Sequence, residues 1–203
     1  MIQRGIALFV LETLAVICQA QHDPNCKPVP KSDREWNEID MQYAKLERAM
    51  LDRDAKALFA LYAPDFEAHM LNGQVWKFSQ SAAYSTAGLE HVKKNINLSN
   101  TIIGMESCSP DSAKATVIQQ WARMQVSFGK LRKYETTTVQ DETWVLNAEG
   151  WKRKLVENVR PGAWYVDEKR VDPTKPYTPD APPFDPHALL AGSSQVSSSH
   201  KDR

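Results

Sequence analysis

The sequence predicts an α+β domain, a cone-shaped roll in which N-terminal helices pack on a curved antiparallel sheet. Three observations carry this. From residue 32 to residue 62 apolar side chains recur every three or four positions, the period of one face of a helix. From residue 98 onward the period changes to two, the period of a strand. The strand-like runs are long and joined by short turns, which implies an antiparallel meander. Helices followed by a run of strands is the α+β order.

The 203 residues suffice for one domain with tails. Hydrophobic residues make up 42%, enough for a core of their own. Lys and Arg number 25, as do Asp and Glu, so the formal charge is zero. That balance argues against a large electrostatic footprint for nucleic acid or an anionic membrane.

Arg4 precedes an apolar run over residues 6–18, broken by Glu12 and Thr13 and closed by Cys18-Gln19-Ala20. This is the form of a secretory signal cleaved after Ala20, and it is too short to cross a membrane. Two other readings stay open. Cys18 could be the acylated residue of a lipoprotein, although Ile17 stands where such signals want a small residue. Alternatively the run is an ordinary N-terminal helix, which the Glu12 inside it favours. On the first reading residues 1–20 are the signal, 21–31 an arm, 32–160 the domain, and 161–203 a Pro/Ser-rich tail, largely disordered after about residue 173. The protein is then periplasmic or secreted, with no membrane attachment once the signal is removed. Cys26 and Cys108 would be the cysteines of the mature chain, and an oxidising compartment permits one bridge between them. Neither CxxC nor HExxH occurs, so no metal site and no cofactor are expected.

Ser32-Asp33-Arg34-Glu35 has capping-box spacing and opens the first helix. Trp36, Ile39, Tyr43, Leu46 and Met50 form its apolar stripe. Asp54 caps a second helix that runs to Tyr62, with Leu58, Leu61 and Tyr62 buried and Pro64 ending it. Phe66, Ala68 and Met70 then alternate with Glu67 and His69 in a strand. Asn72-Gly73 is a two-residue hairpin turn, and residues 75–78 return. A third helix opens at Ser79 or Ser81, with Tyr84, Gly88, Val92 and Ile96 as its stripe. Strands are expected over residues 102–107, 113–126, 132–146 and 151–159. Beyond Val159 the chain becomes extended, with Trp164, Tyr165 and Val166 apolar enough to dock back.

The phrase from Asp54 to Phe66, D-x-x-A-L-x-x-L-Y-A-P-D-F, resembles the SnoaL-like branch of the nuclear transport factor 2-like superfamily. Gly150-Trp151-Lys152 and the strand after it are similar to the last strand of that group. The resemblance covers roughly residues 32–159 and implies a cone-shaped pocket. It implies no one chemistry, because members include isomerases, cyclases, dehydratases, epoxide hydrolases and binding proteins. In the ketosteroid isomerases the general-base aspartate comes seven residues after the alanine matching Ala63, which here is Met70. Their oxyanion-hole tyrosine lies eight residues before the aspartate matching Asp54, which here is Leu46. Methionine cannot abstract a proton and leucine cannot donate a hydrogen bond, so isomerase chemistry of that type is not expected.

The pocket is instead expected to be apolar, with Tyr43, Leu46, Met70 and Tyr84 in it. His69, beside Glu67, and Asp141 are the candidate bases, although His69 faces outward if Met70 faces inward. His91 reads as a solvated position. Gln119, Trp121 and Arg123 share one parity and form either a polar ligand site, a face for a homodimer through the sheet, or an exposed sheet face. The functional expectation is an exported domain that binds a small apolar ligand or associates with itself. The alternative is a small lyase, isomerase or cyclase acting on an apolar substrate.

Overall fold

The computed structural model describes residues 25–175 and 177–180. The signal-like segment and the tail beyond residue 180 lie outside the described residues.

The first helix, α1 (Arg34–Asp52), buries Trp36, Ile39, Tyr43, Leu46 and Ala49, a stripe of threes and fours. The expected capping box does not form. Asp33 is the N-cap without a side-chain bond, and Glu35 engages Ser107 on the sheet instead of turning back on the helix. Asp54 accepts the Ala57 amide at the start of α2 (Ala55–Phe59). This helix stops short of the expected Tyr62 because Tyr62 already belongs to strand β2 (Tyr62–His69). Pro64 lies inside β2, and the ladder shifts register between Tyr62 and Glu67, where proline has no N–H to offer.

Strand β3 (Val75–Lys77) returns antiparallel to β2. The Met70 amide donates to the Gln74 carbonyl at 2.8 Å. The connection is therefore the three-residue loop Leu71-Asn72-Gly73, not the two-residue turn expected, with Gly73 at φ +80° in the left-handed region glycine tolerates.

The third helix, α3 (Phe78–His91), ends five residues before Ile96, the last member of its expected stripe, and of that stripe only Val92 is buried. Ser81 and Leu89 face inward, while Tyr84 is 65% exposed. Val92 and Ile96 instead open strand β4 (Val92–Ser109), whose pairing with β5 starts at Val92 opposite Gln125. A continuous ladder overrides a short helical period here.

Four long strands follow one another as a meander: β4, β5 (Ser112–Ser127), β6 (Lys130–Asn147) and β7 (Gly150–Val166). Strand β7 runs through Arg160-Pro161-Gly162 to Val166, so a domain boundary at residue 160 falls inside a strand. Pro161 is accommodated opposite Thr138, beside shifts in the ladder. A side chain at Gly162 would place its Cβ 3.1 Å from the Thr137 carbonyl oxygen, so the close approach favours glycine.

A short β8 (Lys169–Arg170) pairs with β7, and β1 (Lys27–Pro28) pairs with β4. The strand order is β1-β4-β5-β6-β7-β2-β3, and β2 joins β7 in parallel, which makes the sheet mixed. A Cys26–Cys108 disulfide ties the N-terminal arm to the end of β4. At the other end of the chain, the Tyr177 ring meets Phe128 and Tyr134, each at 6.1 Å.

Helix α1 covers one half of the concave face. Trp36, Ile39 and Tyr43 pack there on Ile102, Met105, Ala113, Ala115, Val117, Trp144 and Trp151. A second cluster, Leu46, Ala49, Leu58 and Leu89, joins the three helices to each other.

Candidate functional site: a cavity on the concave face

Register decides what faces inward. Ala113, Ala115, Val117, Gln119, Trp121 and Arg123 on β5 pair with Trp144, Glu142, Gln140, Thr138, Thr136 and Tyr134 on β6. Along β5 this row passes from small and fully buried to large, polar and half-buried. Small residues let α1 sit down on the sheet at one end. At the other end the large side chains stand off from α3, and a cavity of about 720 Å³ opens between them.

One wall is apolar and comes from the helices and β2, with Leu58, Phe59, Tyr62, Phe66, Ala68, Met70 and Leu89. Trp76 and Tyr84 stack edge-to-face at 4.7 Å beside it. The opposite wall is the sheet, with Gln119, Trp121, Arg123, Gln125, Gln140 and Arg153.

The sheet wall is positioned by α1. Asn95 donates from Nδ2 to the Met50 and Leu51 carbonyls in the last turn of α1. Its Oδ1 accepts from Trp121 Nε1 at 2.9 Å. Gln119 donates to Asn100 Oδ1 at 2.9 Å, and Asn100 in turn donates to Glu47 of α1. The Trp121 indole is thereby fixed, and the Arg123 guanidinium lies over it, 3.8 Å from the ring centroid, with Tyr134 at 5.3 Å. Arg123 Nε donates to Gln125 Oε1 at 2.7 Å and Nη1 makes a long 3.5 Å contact to Thr136. Burial lowers the Arg123 pKa to about 10, with Tyr134 and Tyr84 opposing the shift, and the group stays charged at neutral pH.

The second arginine of the cavity is neutralised. Arg153 Nη2 donates to Glu142, a pair that is almost wholly buried. Its Nη1 donates to the Tyr62 hydroxyl at 2.8 Å. Glu142 also accepts from Tyr43 at 2.8 Å and Gln140 at 2.6 Å, while Trp144 Nε1 donates to the Tyr43 oxygen at 3.0 Å. Burial alone would lower the Arg153 pKa, but the Glu142 charge more than offsets this and raises it. Burial, reinforced by the neighbouring Glu142 charge, pushes the Tyr43 phenol well above its usual value.

Of the residues singled out from sequence, Met70, Tyr84, Gln119, Trp121 and Arg123 line the cavity together. Tyr43 and Leu46 do not. Tyr43 lies under the floor in the Glu142 network, and Leu46 is core, packed with Ala49, Leu58 and Leu89. Gln119, Trp121 and Arg123 point into the cavity, half-buried on the concave face.

His69 has the opposite parity from the lining residues Phe66, Ala68 and Met70, and its imidazole sits 3.8 Å from Glu67. Asp141 is on the convex face, bound to Arg160, Thr116 and Asn158. The two candidate bases therefore meet neither the cavity nor each other.

The sequence reading missed Glu142, Arg153 and Gln140, and it set His91 aside. The legible signal was parity: Gln140 and Glu142 share the parity of Trp144, and Arg153 that of Trp151, which places polar and charged groups on a core-facing row. His91, the last residue of α3, is exposed at the cavity edge. Among the described residues no carboxylate lines the cavity, and no three His, Cys, Asp or Glu side chains gather as metal ligands would.

A helical cap over a curved, unclosed sheet, with a cavity between them, defines the class: the chain has the nuclear transport factor 2-like fold. Solved structures similar to it include a candidate scytalone dehydratase from Novosphingobium aromaticivorans DSM 12444 (TM-score 0.57, 14% identity, 64% of this chain and 86% of that one). A candidate dehydratase of the NTF2-like family from Streptomyces avermitilis matches at TM-score 0.52 and 12% identity, over 62% of this chain and 95% of that one. The hexachlorocyclohexane dehydrochlorinase LinA-type3 from Novosphingobium barchaimii LL02 matches at 0.53 and 14%, over 68% and 94%. At such identities the likeness is one of fold. No protein-family model and no curated protein matches the sequence.

Proposed function

We propose that this protein is an exported small-molecule-binding domain whose ligand occupies the cavity between α3 and the concave face. The observation that carries the reading is the pairing of a deep apolar wall with a polar wall fixed in advance. The Asn95–Trp121 and Asn100–Gln119 bonds hold that wall against α1 through protein groups alone. Preformed, mostly apolar cavities with a few oriented polar groups are the usual form of small-molecule sites. The Cys26–Cys108 disulfide supports export, since such bridges persist in oxidising compartments.

Binding is tested with N-phenyl-1-naphthylamine, a neutral fluorophore that brightens in apolar sites. Titration of the full chain is expected to give saturable enhancement, abolished by Ala68→Trp, which fills the cavity. No enhancement, or enhancement indifferent to Ala68→Trp in a folded variant, counts against the site.

A second reading, a lyase, has one specific observation in its favour: an imidazole, His91, stands at the cavity edge. An imidazole there is placed to take a proton from a bound substrate. The candidate dehydratases and the dehydrochlorinase that share the fold make elimination the reaction to screen first. Turnover of such a substrate that survives His91→Ala would remove His91 from that role.

A further inference from the structure

Arg123 is the unusual group in the cavity. A buried cation is normally matched by a carboxylate, because desolvation makes an unpaired charge costly. Arg153 obeys that rule through Glu142. Arg123 does not: among the described residues its partners are the Gln125 amide, the Thr136 hydroxyl and the faces of Trp121 and Tyr134. These hold and orient the guanidinium without neutralising it. Two of its five N–H groups are engaged, and no described residue accepts from Nη2.

We infer that Arg123 is the receptor for the anionic head of the ligand, and that the cavity takes an amphipathic monoanion, a carboxylate attached to an aryl or extended apolar body. This rests on the cavity being the binding site. The charge count fixes the class. With Arg153 balanced by Glu142, the sheet wall carries one excess positive charge, which one carboxylate cancels and a phosphate dianion overshoots. The guanidinium fork matches a carboxylate in a bidentate pair. The apolar body lies across Phe66, Met70 and Tyr84 on the facing wall. Trp121 keeps the fork aimed, because its own indole is anchored through Asn95 to the end of α1.

The test is displacement of bound N-phenyl-1-naphthylamine from the full chain at pH 7.5 by two matched competitors, 4-phenylbenzoate and 4-phenylbenzamide. The carboxylate is expected to displace the probe at about tenfold lower concentration or less, the scale of a charge-assisted hydrogen-bond pair. Arg123→Met should erase that preference while leaving the benzamide unchanged. Arg123→Lys, which keeps the charge but loses the fork, should retain only part of it.

Equal displacement by the two compounds, or a carboxylate preference that survives Arg123→Met, overturns the inference while leaving the cavity as a binding site. Failure of the neutral probe to bind removes the cavity reading and this inference with it. The wild-type comparison needs no variant, so it stands even if a substitution perturbs folding.

Discussion

The concave face of the sheet carries two arginines in opposite circumstances. Around Arg153 the site is closed: Glu142 matches the charge, and Tyr43, Gln140 and Tyr62 complete the network beneath helix α1. Around Arg123 the face is open: the guanidinium is stacked on Trp121, tethered by Gln125, and met by no carboxylate among the described residues. The same fold thus uses one arginine to complete its interior and leaves the other to be completed. The difference follows from the inward row of β5. Alanines and Val117 admit the helix over the first region, whereas Gln119, Trp121 and Arg123 prevent closure over the second.

The largest effect should come from breaking the closed region. Glu142→Ala leaves Arg153 buried without a counter-charge, and Arg153→Ala leaves Glu142 so. Each is expected to cost about 3–5 kcal/mol in urea unfolding. The pair replaced together, Glu142→Leu with Arg153→Met, should recover much of that loss, since a well-packed apolar pair avoids the desolvation penalty. A double variant no better than the worse single one would mean that the network shapes the floor through Tyr43 and Tyr62 and not through charge.

Next in size is the bridge at the far end of the closed region. Cys26 and Cys108 are 82 residues apart, and closing a loop of that length contributes about 4 kcal/mol in the chain-entropy account. Cys26→Ser together with Cys108→Ser should lower stability by that order while leaving probe affinity unchanged, because the bridge lies outside the cavity. A parallel loss of binding would couple the two halves that the structure keeps distinct.

The open region should respond in the opposite sense. Arg123→Met removes a charge that no neighbour neutralises, so stability should change by less than about 1 kcal/mol, with a gain as the expected direction. Thermal unfolding of the ligand-free protein reads this. A loss comparable to that of Arg153→Ala would show that stacking on Trp121 and Tyr134 is structural, and the contrast between the arginines would collapse.

The order of the main elements, the meander and the positions of the turns were legible in the sequence because period and turn residues are local signals, although the length of the loop at Asn72-Gly73 was not. The α3–β4 boundary was not. Val92 and Ile96 fit a helix of period four, and only the ladder with β5, a non-local partner, makes them strand. The continuation of β7 through Pro161 was hidden for the same kind of reason: Gly162 passes against Thr137, a neighbour absent from the local sequence. In the site, the shared parity of Gln119, Trp121 and Arg123 was visible, but the side of the sheet was not, because a parity has no sign until a helix covers it. Leu46 was misplaced by one step of that kind. It lies on the inward stripe of α1, yet α2 and α3 close over it before the cavity begins.

The smallest effect sharpens the comparison from the back of the sheet. Asp141 is next to Glu142 in the chain and so projects from the convex face, where it accepts from Arg160, Thr116 and Asn158. Burial would raise its pKa, but the hydrogen bonds from Arg160 and Thr116 and the Arg160 charge outweigh that and hold it below the ordinary aspartate value. A carboxyl lowered on folding stabilises the native state above its unfolded pKa, near 3.9, and that contribution fades as pH falls through the lowered native value. Asp141→Asn should therefore destabilise modestly at pH 7 and progressively less below about pH 4. Partial solvent access keeps the effect well under that of the Glu142 variants. Urea unfolding of wild type and Asp141→Asn from pH 7 down to pH 3 measures the convergence. Curves that stay parallel would mean that Asp141 acts through packing and not as a charge, and adjacent carboxylates would then no longer represent a solvated and a buried version of the same arginine pair.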